Sequence, residues 1–215
     1  MIYFSTHFNR PDLVEIQKKC IDKIGGELFI AVNGGSREII NECRRLGIAH
    51  KAMKNVDNPS VAHASTLNWG LRSGIMRDGG FLIDHDCFPV DVPEFKEFVG
   101  VPIQGHLKML LPSYLGFTAE MSEVMRGIDM MPAVGHDTSW RTHRLLDQYD
   151  VKRLTADAMD SLMDGTAQDD LVIDRYRDEE KVYAIHTICG SNWTGSSPVE
   201  AKTKMITDEL DRLCG

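Results

Sequence analysis

Ile2-Tyr3-Phe4-Ser5, Asn9-Arg10-Pro11-Asp12 and Leu28-Phe29-Ile30-Ala31-Val32 open the chain in an order that decides its architecture. The first run is apolar and strand-like. Pro11 stands near the first helical position, where its missing N–H costs nothing, and Asp12 falls in the first turn. Leu13, Ile16, Cys20 and Ile24 then recur at helical spacing until Gly25-Gly26 stops them. Residues 28–32 are a second buried strand, and Asn33-Gly34-Gly35-Ser36 is the turn after it. The pattern repeats. Glu38 to Leu46 reads as a helix ended by Gly47, and Ile48-Ala49-His50 starts a third strand. Asp57-Asn58-Pro59-Ser60 is a loop, followed by a helix through Ala62, Leu67 and Leu71 to about Ser73. Strands alternating with helices predict an α/β fold, a mostly parallel sheet with helices on both faces.

The next apolar run stops abruptly on acid: Gly79-Gly80-Phe81-Leu82-Ile83, then Asp84-His85-Asp86, then Cys87-Phe88-Pro89. In an extended backbone alternate side chains share a face, so Asp84 and Asp86 point one way and His85 the other. Two carboxylates at the mouth of a buried strand repel each other unless a cation sits between them. A hard divalent ion, Mg²⁺ or Mn²⁺, takes carboxylate oxygens and can share a phosphate. Sites in parallel sheets form at the carboxyl ends of the strands, so the loops at Thr6–Arg10, Asn33–Ser36 and Asp84–Asp86 are expected along one edge. An acidic turn after a core strand is the alternative reading of the D-x-D alone.

The second half is less regular. Pro93 to Phe98 reads as a short helix, Lys108-Met109-Leu110-Leu111 as a strand ended by Pro112, and Glu120 to Gly127 as a helix. Tyr114-Leu115-Gly116-Phe117 fits either state. Gly135-His136-Asp137-Thr138 opens a helix through Leu146, with Asp137 or Thr138 as its cap. Asp157 to Met163 and Asp169 to Arg175 read as helices. Val182-Tyr183-Ala184-Ile185 is a late strand that delivers His186, and Pro198 to Leu213 is an amphipathic helix. The 215 residues fit one domain, without internal repeat or linker.

A formal charge of −8 argues against a general nucleic-acid binder, which needs a basic face to neutralise phosphates. The five cysteines are widely spaced with no C-x-x-C pair, which is neither a disulfide framework nor a zinc ribbon. Reduced thiols in a cytoplasmic protein are the expectation. Met1 to Ser5 lacks the charged flank of a signal peptide, and no apolar stretch approaches a membrane span.

Taken in order, these stretches resemble a GT-A-type glycosyltransferase, closest to the family-2 nucleotide-sugar transferases. Ser5-Thr6-His7-Phe8-Asn9-Arg10-Pro11-Asp12-Leu13 resembles the family's first strand–loop–helix with its N-R-P turn. Phe29 to Ser36 resembles its second strand and "D-N-G-S" turn, Ala64 to Leu71 its "A-R-N-x-G-L" helix, and Phe81 to Asp86 the strand carrying the D-x-D. The four match in order and rough spacing over about residues 1–90. The resemblance implies a single GT-A-like (Rossmann-like) domain over 1–215. Residues 1–90 would form the nucleotide-sugar half, and 91–215 the acceptor-side half with its C-terminal helix. It implies a hexosyltransferase-like enzyme that moves a sugar from a nucleoside-diphosphate sugar, a UDP-sugar first, to an acceptor hydroxyl.

Residue by residue, the resemblance puts Mn²⁺ or Mg²⁺ on Asp84 and Asp86. It makes His186 a further metal ligand or diphosphate contact, with the small Gly190-Ser191 backbone close to a phosphate. Thr6, Asn9, Arg10, Asn33, Asn68 and Asp84 become nucleotide-binding candidates, and Arg72 meets the diphosphate. Asp137 would accept the proton of the acceptor hydroxyl if the reaction inverts, and the same residue reads as a helix cap; the two roles can coexist. Glu120 and Glu123 are fallback bases, and Trp69 and Trp193 are packing residues. Two positions depart from the family's pattern. Asn33 stands where an aspartate commonly contacts the base, and Thr66 replaces the arginine of the helix motif. No clear Q-x-x-R-W segment appears late in the chain.

Three rival readings are distinguishable. His136-Asp137, with His106 and His143, invites an HD-type metal phosphohydrolase, whose all-helical fold the strand-like runs before residue 90 contradict. A nucleotidyltransferase would open with a glycine-rich phosphate loop, and Thr6–Asp12 has no glycine. The departures at Asn33 and Thr66 leave room for a degenerate GT-A domain acting as a non-catalytic binding module.

Overall fold

A computed structural model describes residues 1–103, 109–133, 138–157, 172–188 and 199–214. The alternation of the first half is present as β1 (Ile2–His7), α1 (Asp12–Lys23), β2 (Glu27–Val32), α2 (Arg37–Arg45), β3 (Ala49–Ala52), α3 (Pro59–Arg72) and β4 (Gly80–Asp84). Then follow β5 (Cys87–Pro89), β6 (Phe98–Ile103), β7 (Met109–Phe117), α4 (Ser122–Gly127), α5 (His143–Gln148), β8 (Val151–Arg153) and β9 (Thr155–Ala156). The last described elements are β10 (Val172–Arg177), β11 (Val182–Ile188) and α6 (Val199–Cys214).

The main sheet has seven strands in the order β3-β2-β1-β4-β7-β6-β8. β1 to β4 pair in parallel, β7 runs against both of its neighbours, and β8 joins β6 in parallel. A second, antiparallel sheet has the order β5-β11-β10-β9. The fold is therefore mixed α/β with a mostly parallel main sheet.

Both faces of that sheet are covered at its centre, which is why β2 and β4 are mainly apolar, while the edge strands β3 and β8 carry His50, Lys51, Lys152 and Arg153. Tyr3, Ile30, Val32, Phe81 and Ile83 pack with Val14 and Ile21 of α1 and Ile39 and Cys43 of α2. On the other face Phe4, Ala31 and Leu82 pack with Ala64, Leu67 and Leu71 of α3 and Leu145 of α5. Each of the Val, Leu, Ile and Phe side chains among them contributes roughly 1.5–3 kcal/mol when fully buried. Two glycines set the spacing. A Cβ on Gly70 would lie 2.5 Å from the Phe4 ring, so its absence lets α3 sit close on β1. Gly80, at φ 144°, starts β4 where a Cβ would lie 2.4 Å from the Ile2 carbonyl oxygen.

Four expectations are corrected. No helix runs from Thr138 through Leu146: Ser139 stands at φ 66°, and α5 begins only at His143, so Thr138 caps no helix. Residues 93–97 are not helical, and Phe98 opens β6 instead. Val172–Arg177 is a strand rather than the end of a helix, burying Asp174 and Tyr176 at period two and pairing along β11. Pro112 does not end β7, which continues to Phe117. Gly100 pairs with Leu115 but Pro102 with Leu110, so β7 bulges between them, and Pro112 sits where no ladder bond is asked of its nitrogen. The strand delivering His186, the helix over 122–127 and the C-terminal helix are as read. The expected helix over 157–163 lies outside the described residues from 158 onward. The four described cysteines are free. Among the described residues no helix is long and apolar enough to cross a membrane.

Candidate metal centre

The carboxyl ends of β1, β2 and β4 meet at one cavity of about 400 Å³. Thr6, Asn33, Asp84, Asp86 and His186 all line it, so the expected edge of loops exists. Asn9 and Arg10 do not. Asn9 is exposed, while Arg10 is 2% exposed and forks onto Asp12 at 2.8 and 2.6 Å, with a third bond to Thr203 of α6 at 3.1 Å. Arg10 thereby ties the β1–α1 loop to the C-terminal helix.

Asp84, Asp86 and His186 offer ligand atoms that lie within 4.8 Å of one another. β4 ends at Asp84 and β5 starts at Cys87, so His85 and Asp86 form a turn rather than extended strand. The strict alternation of faces lapses there, and His85 lines the same cavity as both aspartates. Pairing of Cys87 with His186 brings the late strand to the turn, and the Thr187 N–H donates to the Asp86 carbonyl at 3.0 Å. His63, one turn into α3, also reaches in: its Nε2 is 2.8 Å from Asp84 Oδ1, beside the Thr6 hydroxyl at 3.2 Å.

Burial opposes charge on Asp84, but the His63 imidazole holds that carboxyl below the usual carboxylate range. Burial likewise opposes charge on Asp86, and His85 and His186 outweigh it, keeping this carboxyl well below the range. For His186, burial works against the imidazolium, while Asp86 and Asp84 raise its pKa above the ordinary value. Two carboxylates, Asp86 buried and Asp84 half-buried, and the His186 imidazole are oxygen and nitrogen donors for one divalent cation. Among the described residues no lysine or arginine lines the cavity to neutralise them instead. The residues present fit the expected ion.

The turn is clamped from behind. Gln17, fully buried on the core face of α1, donates both amide hydrogens, to the Asp84 and Cys87 carbonyls, each at 2.8 Å. Its oxygen must therefore accept from His7 Nε2, 3.0 Å away. Burial, then the neighbouring His85, push the His7 pKa down to about 3, so this imidazole is neutral.

Asn33 and Thr66, the two departures from the resembled motifs, meet. The Thr66 hydroxyl shares its hydrogen between the Asn33 side-chain oxygen and the Ala62 carbonyl. Asn68 and Arg72 turn away from the cavity, because they follow His63 by five and nine residues, about 140° and 180° around the helix. Asn68 instead bonds Asp129 at 2.8 Å and the Met130 N–H at 2.9 Å. Both residues border a separate hollow with Trp69. Glu120 and Glu123 are exposed and line none of it. Asp137 and the segment 190–193 lie outside the described residues; Thr138 lines the cavity.

His63, His85 and Gln17 were not singled out by the sequence. Their only traces are a histidine one turn after the Asn58-Pro59 start of a helix, a histidine inside D-x-D, and a glutamine on an apolar helix stripe. No protein-family model matches the chain, and no curated protein matches its sequence. Fold and site define a class: a mixed α/β protein with a carboxylate–imidazole cluster at the carboxyl edge of its parallel strands.

Proposed function

We propose that the chain is a metal-dependent glycosyltransferase of GT-A-like fold, moving a sugar from a nucleoside-diphosphate sugar to an acceptor hydroxyl. One observation carries the reading: Asp84, Asp86 and His186, from distant parts of the sequence, converge within 4.8 Å at the edge where ligands bind to parallel sheets. A bound Mn²⁺ or Mg²⁺ would act there as a Lewis acid toward the leaving diphosphate, and the imidazole in the set favours Mn²⁺. The remaining work falls to the chain. Pro59 and Ser60 line the cavity at the start of α3, so the positive end of that helix faces the phosphates. Thr6 and Asn33 form the wall for the nucleoside. Ile103, Met109 and Leu111 form an apolar wall that keeps water from the anomeric carbon. Asp137 is the proposed proton acceptor for an inverting transfer.

The test is calorimetric titration of UDP with and without Mn²⁺, on the wild type and on Asp86→Ala. Metal-dependent UDP binding that disappears in the folded variant is the expected result. Equal affinity in a variant of unchanged circular dichroism would overturn the reading. Sugar release from a panel of nucleotide sugars, with and without Mn²⁺, separates a transferase from a binding module of the same fold.

A further inference from the structure

The His186 ring is engaged at both nitrogens. Nε2 faces Asp86 at 3.4 Å, and Nδ1 lies 2.9 Å from the Tyr176 hydroxyl. The same hydroxyl is 2.9 Å from Ser113 Oγ. Tyr176 has no exposed surface and Ser113 only 2%, yet Ser113 lines the cavity together with Asp86 and His186. Each member is placed by the sheets. Asp174 pairs with His186, and Tyr176, two residues on, is its diagonal neighbour, with ring centroids 5.6 Å apart. Ser113 comes from the bulge of β7, which turns its hydroxyl toward Tyr176.

Proton order along this chain follows from counting hydrogens. An imidazole that gives its Nε2 lone pair to a cation must carry its proton on Nδ1. Nδ1–H then donates to the Tyr176 oxygen, and the Tyr176 hydrogen goes to Ser113 Oγ. The Ser113 hydrogen is left for the cavity. We propose that Tyr176 is a positioning residue for His186 as a metal ligand, and that Ser113 donates a hydrogen bond to a phosphate oxygen of the ligand bound there. This rests on the metal-centre reading above. The diphosphate of a nucleotide sugar, esterified at both ends, carries no proton at neutral pH and can only accept, so a wall offering one hydrogen beside a cation matches it.

The experiment compares wild type, Tyr176→Phe and Ser113→Ala, titrated first with Mn²⁺ alone and then, in saturating Mn²⁺, with inorganic pyrophosphate. Tyr176→Phe keeps the ring and loses only the hydroxyl. It is expected to weaken Mn²⁺ about 10- to 100-fold, the usual effect of removing a partner behind a metal ligand. Electron spin-echo spectra of the bound Mn²⁺ should show a coordinated imidazole nitrogen in the wild type and a reduced signal in Tyr176→Phe, a change that loss of packing alone would not produce. Ser113→Ala is expected to hold Mn²⁺ within about threefold and to weaken pyrophosphate about tenfold, as for a lost bond to a charged group. If the wild type binds Mn²⁺ but Tyr176→Phe matches it, or Ser113→Ala matches it for pyrophosphate, this inference fails and the metal centre stands. Bound Mn²⁺ without an imidazole signal defeats this inference too, and it takes His186 out of the metal's ligands, leaving Asp84 and Asp86. A wild type that takes up no Mn²⁺ overturns both.

Discussion

The side chains of Asn33 and Thr66, one after β2 and one inside α3, are hydrogen-bonded to each other across the back of the cavity. Where the resembled motifs carry an acid and an arginine, this chain carries a neutral amide and a hydroxyl that satisfy one another. Asn33 lines the cavity and Thr66 does not. Thr66→Val preserves shape and removes the bond, so it should cost about 1–2 kcal/mol of stability and weaken UDP by about three- to tenfold without touching it. A double-mutant cycle with Asn33→Ala checks the coupling: the two losses should fall short of additivity by about 0.5–1.5 kcal/mol.

Gln17 is the clamp on the D-x-D turn. Gln17→Leu leaves two buried carbonyls and the His7 N–H without partners, and should destabilise the fold by about 2–4 kcal/mol. Because the turn carries Asp84 and Asp86, Mn²⁺ affinity should fall with it by about tenfold. Urea denaturation and Mn²⁺ titration check the two effects separately; an unchanged Mn²⁺ affinity would leave the clamp a stability device only.

Asp137→Asn tests the proposed base. The helical segments after it begin at Trp140 and His143, preceded by Ser139 and Thr142, so no helix cap rests on Asp137 and the isosteric amide should leave stability and donor binding near normal. Proton acceptance is lost, and transfer should drop by about 10²- to 10⁴-fold if the reaction inverts. Full turnover on the true acceptor would return Asp137 to a structural role.

Acid sensitivity has a defined contributor at the C-terminal helix. Bonds from Arg212, then from Arg175 of β10, hold Glu209 down to about 2, against an ordinary 4.5. Its folded pKa lies below its unfolded one, so its contribution is complete above pH 4.5 and is lost as pH falls toward 2. Glu209→Gln should therefore be less stable than wild type at pH 7, with the gap closing by pH 2.5. Urea midpoints at the two pH values measure this, and a gap independent of pH would rule it out.

Much of the architecture is local and was readable. Pro11, Gly25-Gly26 and Gly47 bound their helices as capping chemistry requires, and uninterrupted apolar runs announced strands covered on both faces. The helix expected over Asp169 to Arg175 gives way from Val172 onward to β10, whose strand character comes from pairing with β11. The motif makes Arg10 a nucleotide contact, whereas its guanidinium bonds Asp12 and Thr203, and Thr203 lies 193 residues away in sequence.

The sequence by itself determined the alternating α/β order, the acidic end of β4 and the late strand carrying His186. Those follow from periodicity and from carboxylates placed after an apolar run. Only the tertiary structure decided which groups surround the carboxylates. Gln17 meets Asp84 across 67 positions and Ser113 meets Tyr176 across 63, through sheet register and a bulge in β7. Register is a property of paired strands, and no single segment encodes it.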